Sequence, residues 1–227
     1  MKRKNLATML CLGLMPMAGT AAAEPGQKKR VVLVHGIFQQ GDCFNPLKKK
    51  LEQQGCECLI PALKPADANT GLEPLAAQLR KEIDQKWGRD APIHIVAHSM
   101  GGLVSRYYLQ ELGGYARCGS LVTLATPHHG TCMAYLYPGK GAWQMRPNSE
   151  FLQQLDQTSH RLKDVRLISY RTPFDLMILP STSSCWDCAQ NEMVWAPAHP
   201  LVMHTPRVQR HIFEVIHSDS PAAGQSK

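Results

Sequence analysis

Ser99 stands between Ile93-His94-Ile95-Val96-Ala97-His98 and Met100-Gly101-Gly102, where a short apolar run meets a helical pattern. A serine hydroxyl is a poor nucleophile until a histidine takes its proton and a carboxylate holds that histidine in one tautomer. With those partners it attacks acyl carbon. The small residues Ala97 and Gly101 flank Ser99, so its backbone can take a strained turn without side chains striking the adjacent strand and helix. The helix beginning at Gly102 carries Leu103, Val104, Tyr107 and Tyr108 at helical spacing, and its start offers N–H groups and positive dipole beside the serine. A serine that only caps this helix is the plainer alternative; strand, A-x-S-x-G-G and amphipathic helix together favour the nucleophile elbow.

In that layout the chain order is serine, acid, histidine. The strand pattern Val165 to Tyr170 is followed by the turn Arg171-Thr172-Pro173-Phe174-Asp175, which makes Asp175 the expected acid. Asp156 and Asp164 precede the strand and read as surface charges, and Asp187 is the fallback. The downstream histidines are His199, His204, His211 and His217. His204 is the expected base, because it lies in the loop before a terminal helix running from Arg207 to Ile216. His199 competes with it, and His211 and His217 fall within or after the helix. Upstream, Val31 to Val34 ends at His35-Gly36-Ile37, a strand and turn that would aim the Ile37 N–H at a developing oxyanion.

The elements that must hold these groups alternate. Helices are expected at Pro46 to Gln54 and over the stripe Leu72, Leu75, Ala76, Leu79 and Ile83. Strands are expected at Val31 to Val34, Cys58 to Pro61, Ile93 to Ala97, Leu121 to Ala125 and Val165 to Tyr170. Strands alternating with helices predict an α/β class with a mostly parallel sheet and helices on both faces. Between Gly130 and Leu155, Met133, Tyr135, Leu136, Tyr137, Trp143 and Met145 lie among glycines and prolines. They suit an acyl pocket or small cap as well as ordinary core packing.

Residues 1–23 read as a signal peptide: Lys2, Arg3 and Lys4 precede an apolar core from Leu6 to Ala18, and Ala21-Ala22-Ala23 offers a cleavage site. Residues 24–227 then form one domain, exported to the periplasm or the medium. Losing the three leader cations takes the formal charge from +7 to +4. The basic runs Lys28-Lys29-Arg30 and Lys48-Lys49-Lys50 lack interleaved aromatics, which speaks against nucleic acid and leaves room for transient attraction to an anionic lipid surface. Export makes disulfides the expected state of some among Cys43, Cys56, Cys58, Cys118, Cys132, Cys185 and Cys188. Cys185-x-x-Cys188 could close a local loop, while Cys56 and Cys58 are expected to pair elsewhere than with each other. A metal site on these spacings is disfavoured, and the oligomeric state is not legible.

Taken together, Val-Leu-Val-His35-Gly36-Ile37, Ala97-His98-Ser99-Met100-Gly101-Gly102, Leu124-Ala125-Thr126-Pro127-His128-His129-Gly130-Thr131, Phe174-Asp175-Leu-Met-Ile-Leu-Pro180 and His204 resemble the bacterial secreted lipases and esterases of the α/β-hydrolase superfamily. Gln144 to Leu152 also looks like a segment of those small lipases. The resemblance implies an α/β-hydrolase fold with a minimal lid or none, and a triad of Ser99, Asp175 and His204. It also implies oxyanion donors at Ile37 and Met100, and no metal or organic cofactor. The implied substrates are acylglycerols or other lipid esters. A short-chain esterase, a phospholipid deacylase, an acyltransferase and a non-catalytic binding protein of the same fold remain the alternatives.

Overall fold

The computed structural model describes residues 28–218. The signal-peptide expectation therefore lies outside the described residues. Six strands form one parallel sheet in the order β2-β1-β3-β4-β5-β6. They are β1 Arg30–Val34, β2 Glu57–Leu59, β3 Ile93–His98, β4 Cys118–Leu124, β5 Arg166–Arg171 and β6 Gln190–Met193. The helices are α1 Asn45–Gln53, α2 Leu72–Trp87, α3 Met100–Glu111, α4 Lys140–Gln144, α5 Glu150–Gln157 and α6 Pro206–His217.

Alternation along each central strand divides the core into two layers. Val32 and Val34 of β1, with Ile95 and Ala97 of β3, pack towards α2, α3 and α5. Val31, Leu33 and Val96 face the opposite layer, where α1 and α6 lie. Strands covered on both sides must be apolar throughout, which is why β1 reads as an unbroken valine-leucine run. The stripe expected on α2 is wholly buried at Leu72, Leu75, Ala76, Leu79 and Ile83; each large member contributes about 1.5–3 kcal/mol by leaving water. Val208, Ile212, Val215 and Ile216 do the same for α6.

From β1 the chain steps one way to β2, then crosses back over β1 to β3 and continues outward. The carboxyl ends of β1 and β3 therefore flank the point where strand order reverses, the crevice in which open parallel sheets hold ligands. Both the His35-Gly36-Ile37 turn and Ser99 emerge there.

Two expectations fail. β6 was not foreseen, because Gln190, Asn191 and Glu192 give an edge strand with no apolar run. Nor do the expected disulfides form: all seven cysteines among the described residues are free. Cys56 and Cys58 lie in one apolar layer and Cys118 in the other, across the sheet from them. Burial pushes the thiols of Cys58 and Cys118 up to about 12, so they pack as small apolar groups. No helix among the described residues is long and apolar enough to cross a membrane.

Candidate active site

Ser99 follows β3 directly and holds φ 54° and ψ −128°, a conformation that costs a non-glycine residue about 1–3 kcal/mol. Its surroundings over-determine it. The Ser99 N–H donates to the Leu124 carbonyl at 2.8 Å, and the Ser99 carbonyl accepts from Thr126 Oγ1 at 2.9 Å and from the Gly102 N–H at 3.0 Å. A β-carbon on Gly101 would lie 2.5 Å from the carbonyl oxygens of Val34 and His35, and one on Gly102 2.0 Å from Thr126 Oγ1. The glycines let α3 start flush against β1 and the turn after β4. Ser99 makes no side-chain cap bond to α3, which removes the cap-only alternative.

The acid follows β5. Asp175 is 3% exposed. Its Oδ1 accepts from the amides of Met177 and Ile178 at 2.9 and 2.8 Å, and Oδ2 lies 2.7 Å from His199 Nδ1. Three donors thus surround one buried carboxylate. The structure brings Asp175 to His199 and not to His204. Both histidines belong to one 3-10 turn, His199–His204, which opens after the extended residue Ala198. At three residues per turn, positions five apart point in different directions: His199 is buried against the sheet and His204 is exposed. Asp187, the fallback acid, makes no contact with either.

His98 ties these pieces together. Its ring packs on His199 with centroids 4.7 Å apart, and its Nδ1 lies 3.3 Å from Gln39 Oε1. That oxygen also accepts from the Gly36 N–H at 2.9 Å and from Cys43 Sγ at 3.5 Å. One amide oxygen therefore joins the turn after β1 to the residue before the nucleophile. Burial, with His199 nearby, holds His98 down to about 3; it is a neutral spacer at ordinary pH. This joint is invisible in the sequence, where Gln39 carries no motif.

Two amides beside Ser99 stand apart from the bonds that hold their neighbours. The Met100 N–H is the first of α3, one of the donors no helix satisfies internally. In the turn after β1 the amides of Gly36, Phe38 and Gln39 are bonded to Gln39 Oε1, the Ala66 carbonyl and the Gly36 carbonyl. Among the described residues, the Ile37 N–H has no such acceptor.

Beside Ser99 lies an apolar cavity walled by Ile37, Phe38, Met133, Tyr137, Met145 and Met177. Of the large side chains between Gly130 and Leu155 anticipated for a pocket, cap or core, Met133, Tyr137 and Met145 line this cavity, while Tyr135, Leu136 and Trp143 stand exposed. Deeper in, Arg106 is fully buried, donates to Asp156 at 2.8 Å and faces His128 Nδ1 at 3.4 Å. His128 Nε2 meets Thr123 Oγ1 at 3.0 Å. Burial and then the Arg106 charge push His128 well below its usual range.

A family model described as "Alpha/beta hydrolase family" matches residues 31–217. Lysosomal thioesterase PPT2 of Mus musculus is 28% identical over 137 residues, 56% of this chain and 45% of that protein. Triacylglycerol lipase 2 of Saccharomyces cerevisiae is 34% identical over 93 residues, 39% of this chain and 28% of that protein. The chain thus aligns with less than half the length of these curated relatives. Among solved structures, mature lipase BlEst2 of Bacillus licheniformis superposes with a TM-score of 0.64 at 18% identity, covering 86% of this chain and 93% of that one. Aspergillus fumigatus lipase B gives 0.68 at 17% identity, with 86% and 54% covered. At such identities the likeness is one of fold.

Proposed function

This chain belongs to the alpha/beta hydrolase family, and from that premise we propose that it is a serine carboxylic-ester hydrolase. Ser99 is the nucleophile, His199 the base, Asp175 the acid, and the amides of Ile37 and Met100 the oxyanion donors. The observation that carries this reading is the 2.7 Å contact of His199 Nδ1 with a buried Asp175, on a ring packed against the residue preceding Ser99.

With Nδ1 engaged by the carboxylate, His199 presents Nε2 as the proton acceptor. Nε2 takes the Ser99 hydroxyl proton as Oγ bonds to the acyl carbon, and the former carbonyl oxygen gathers charge before the two amides. The same nitrogen returns the proton to the departing alkoxide, then activates water to release the acid from the acyl-serine. The apolar cavity supports an apolar acyl group on the ester. The named activity of PPT2 supports a second reading, in which the leaving group is a thiol. Comparing oxygen esters and thioesters of one acyl group distinguishes the two.

The test is turnover of p-nitrophenyl esters by Ser99→Ala, His199→Ala and His204→Ala. The first two should lose several orders of magnitude, about 10⁴-fold or more, and the third should keep wild-type order activity. Loss confined to His204→Ala would refute the assignment of the base. Export through residues 1–23 also stands as a proposal, supported by the sequence pattern; N-terminal sequencing of the mature protein checks it.

A further inference from the structure

The cavity beside Ser99 has a volume of about 30 Å³, room for about two waters. It is walled by Ile37, whose amide is the proposed oxyanion donor, and by neither histidine. In the proposed reaction the leaving oxygen must face His199, so this cavity takes the acyl half. Beyond Ser99 and the Ile37–Phe38 turn, its walls come from three backbone segments that are tied to one another. The Thr131 N–H donates to the Met145 carbonyl at 2.8 Å, and the Cys132 N–H to the Leu179 carbonyl at 2.9 Å. Thr131 Oγ1 donates to the Met177 carbonyl at 2.8 Å and accepts from the Leu179 N–H at 2.9 Å.

α4, the segment a lid would use, is fixed to the body as well. Gln144 Oε1 accepts from the Leu72 N–H at 2.8 Å, and the amides of Lys140 and Gly141 donate to the Asn69 and Ala68 carbonyls at 3.1 and 3.0 Å. A β-carbon at Gly141 would sit 2.5 Å from the Ala68 carbonyl oxygen, and one at Gly130 would sit 2.6 Å from the Pro147 nitrogen. These backbones touch. Swinging α4 outward would break these three bonds and open an apolar seam.

We propose that the site is a preformed box for short acyl groups, of about two to four carbons, closed at its far end by methionine side chains on anchored backbone. This rests on the serine-hydrolase reading and narrows its substrate class. Met133, Met145 and Met177 fill the box and set its depth; their thioether chains can repack, but the segments carrying them stay tied.

The test compares p-nitrophenyl acetate, butyrate, octanoate and palmitate on wild type, Met133→Ala and Met145→Ala, with active sites counted by a fluorophosphonate that labels serine. Met133 is half-buried, so its variant remains informative where Met145→Ala folds poorly. Wild type should give its highest kcat/KM on acetate or butyrate and fall at least about tenfold at octanoate, since a single misfit methylene in an apolar pocket is worth about 10–200-fold. Shortening a methionine should move the maximum to a longer chain. Octanoate or palmitate turned over as well as butyrate would overturn the box, as would a chain-length profile unmoved in both variants. Absence of labelling together with absence of all hydrolysis sinks the serine-hydrolase reading itself, a separate result.

Discussion

Ser99 shows how much one residue's backbone can cost. Its φ of 54° is held by bonds from three directions, and a glycine there would take the same turn without a Cβ penalty. Ser99→Gly should therefore abolish turnover while raising stability by about 1 kcal/mol, read as a higher Tm by calorimetry. A lower Tm would mean that the elbow is not strained. At this scale the positions of two of the three proposed groups were legible in the sequence. Small neighbours and the strand-to-helix pattern pointed to Ser99, and the turn after an apolar strand pointed to Asp175. The histidine that meets Asp175 lies five residues before the one expected, because sequence pattern places a loop but not the direction each side chain leaves a 3-10 turn. Only the fold reveals that His199 enters the sheet edge first and that His204 leaves it.

The segment after β4 and the segment after β5 act as one element. Thr131 Oγ1 bonds both faces of the Met177–Leu179 stretch, whose amides in turn orient Asp175. Thr131→Val keeps shape and removes the hydroxyl with both of its bonds to this stretch, so kcat should fall about tenfold, in line with lost hydrogen bonds of about 0.5–1.5 kcal/mol each acting partly on geometry. KM should change little. Thr131→Ser should restore kcat. A Tm drop with an unchanged kcat would reduce Thr131 to a structural bond. Nothing in Thr-Pro-His-His-Gly-Thr declares this partnership, because the bonded positions lie 46 and 48 residues apart. Helices and central strands were legible for the opposite reason: α2 and β1 state their burial in their own periodicity. β6 could not be read, since a polar edge strand is defined by its neighbour β5 alone.

Across the molecule, three histidines are buried neutral. His94 is held down to about 4 and His98 to about 3, mainly by burial, and His128 lies well below 6.5. A histidine whose folded value lies below its unfolded one binds its proton preferentially in the unfolded chain. The fold is therefore at full strength above pH 6.5 and loses stability as pH falls below it, down to the folded values. At pH 4.5 His94 and His98 each cost about 2–3 kcal/mol, a large share of the stability of an ordinary domain, about 5–15 kcal/mol, and His128 acts in the same direction. We expect cooperative acid unfolding by circular dichroism between about pH 6 and 4, with His94→Gln shifting the midpoint to lower pH. Full stability at pH 4 would show that these rings are not buried neutral.

The reversal of strand order has one more consequence. In the proposed reaction, the groups that attack and shelter charge, from the turn after β1 to the elbow after β3, lie before β4, and the groups that move protons lie after it, in the segments that follow β5 and β6. On that reading β4 is the seam between a nucleophile half and a proton-relay half. A chain divided just past this strand would then yield two inert fragments, and rejoining them across the sheet would restore hydrolysis.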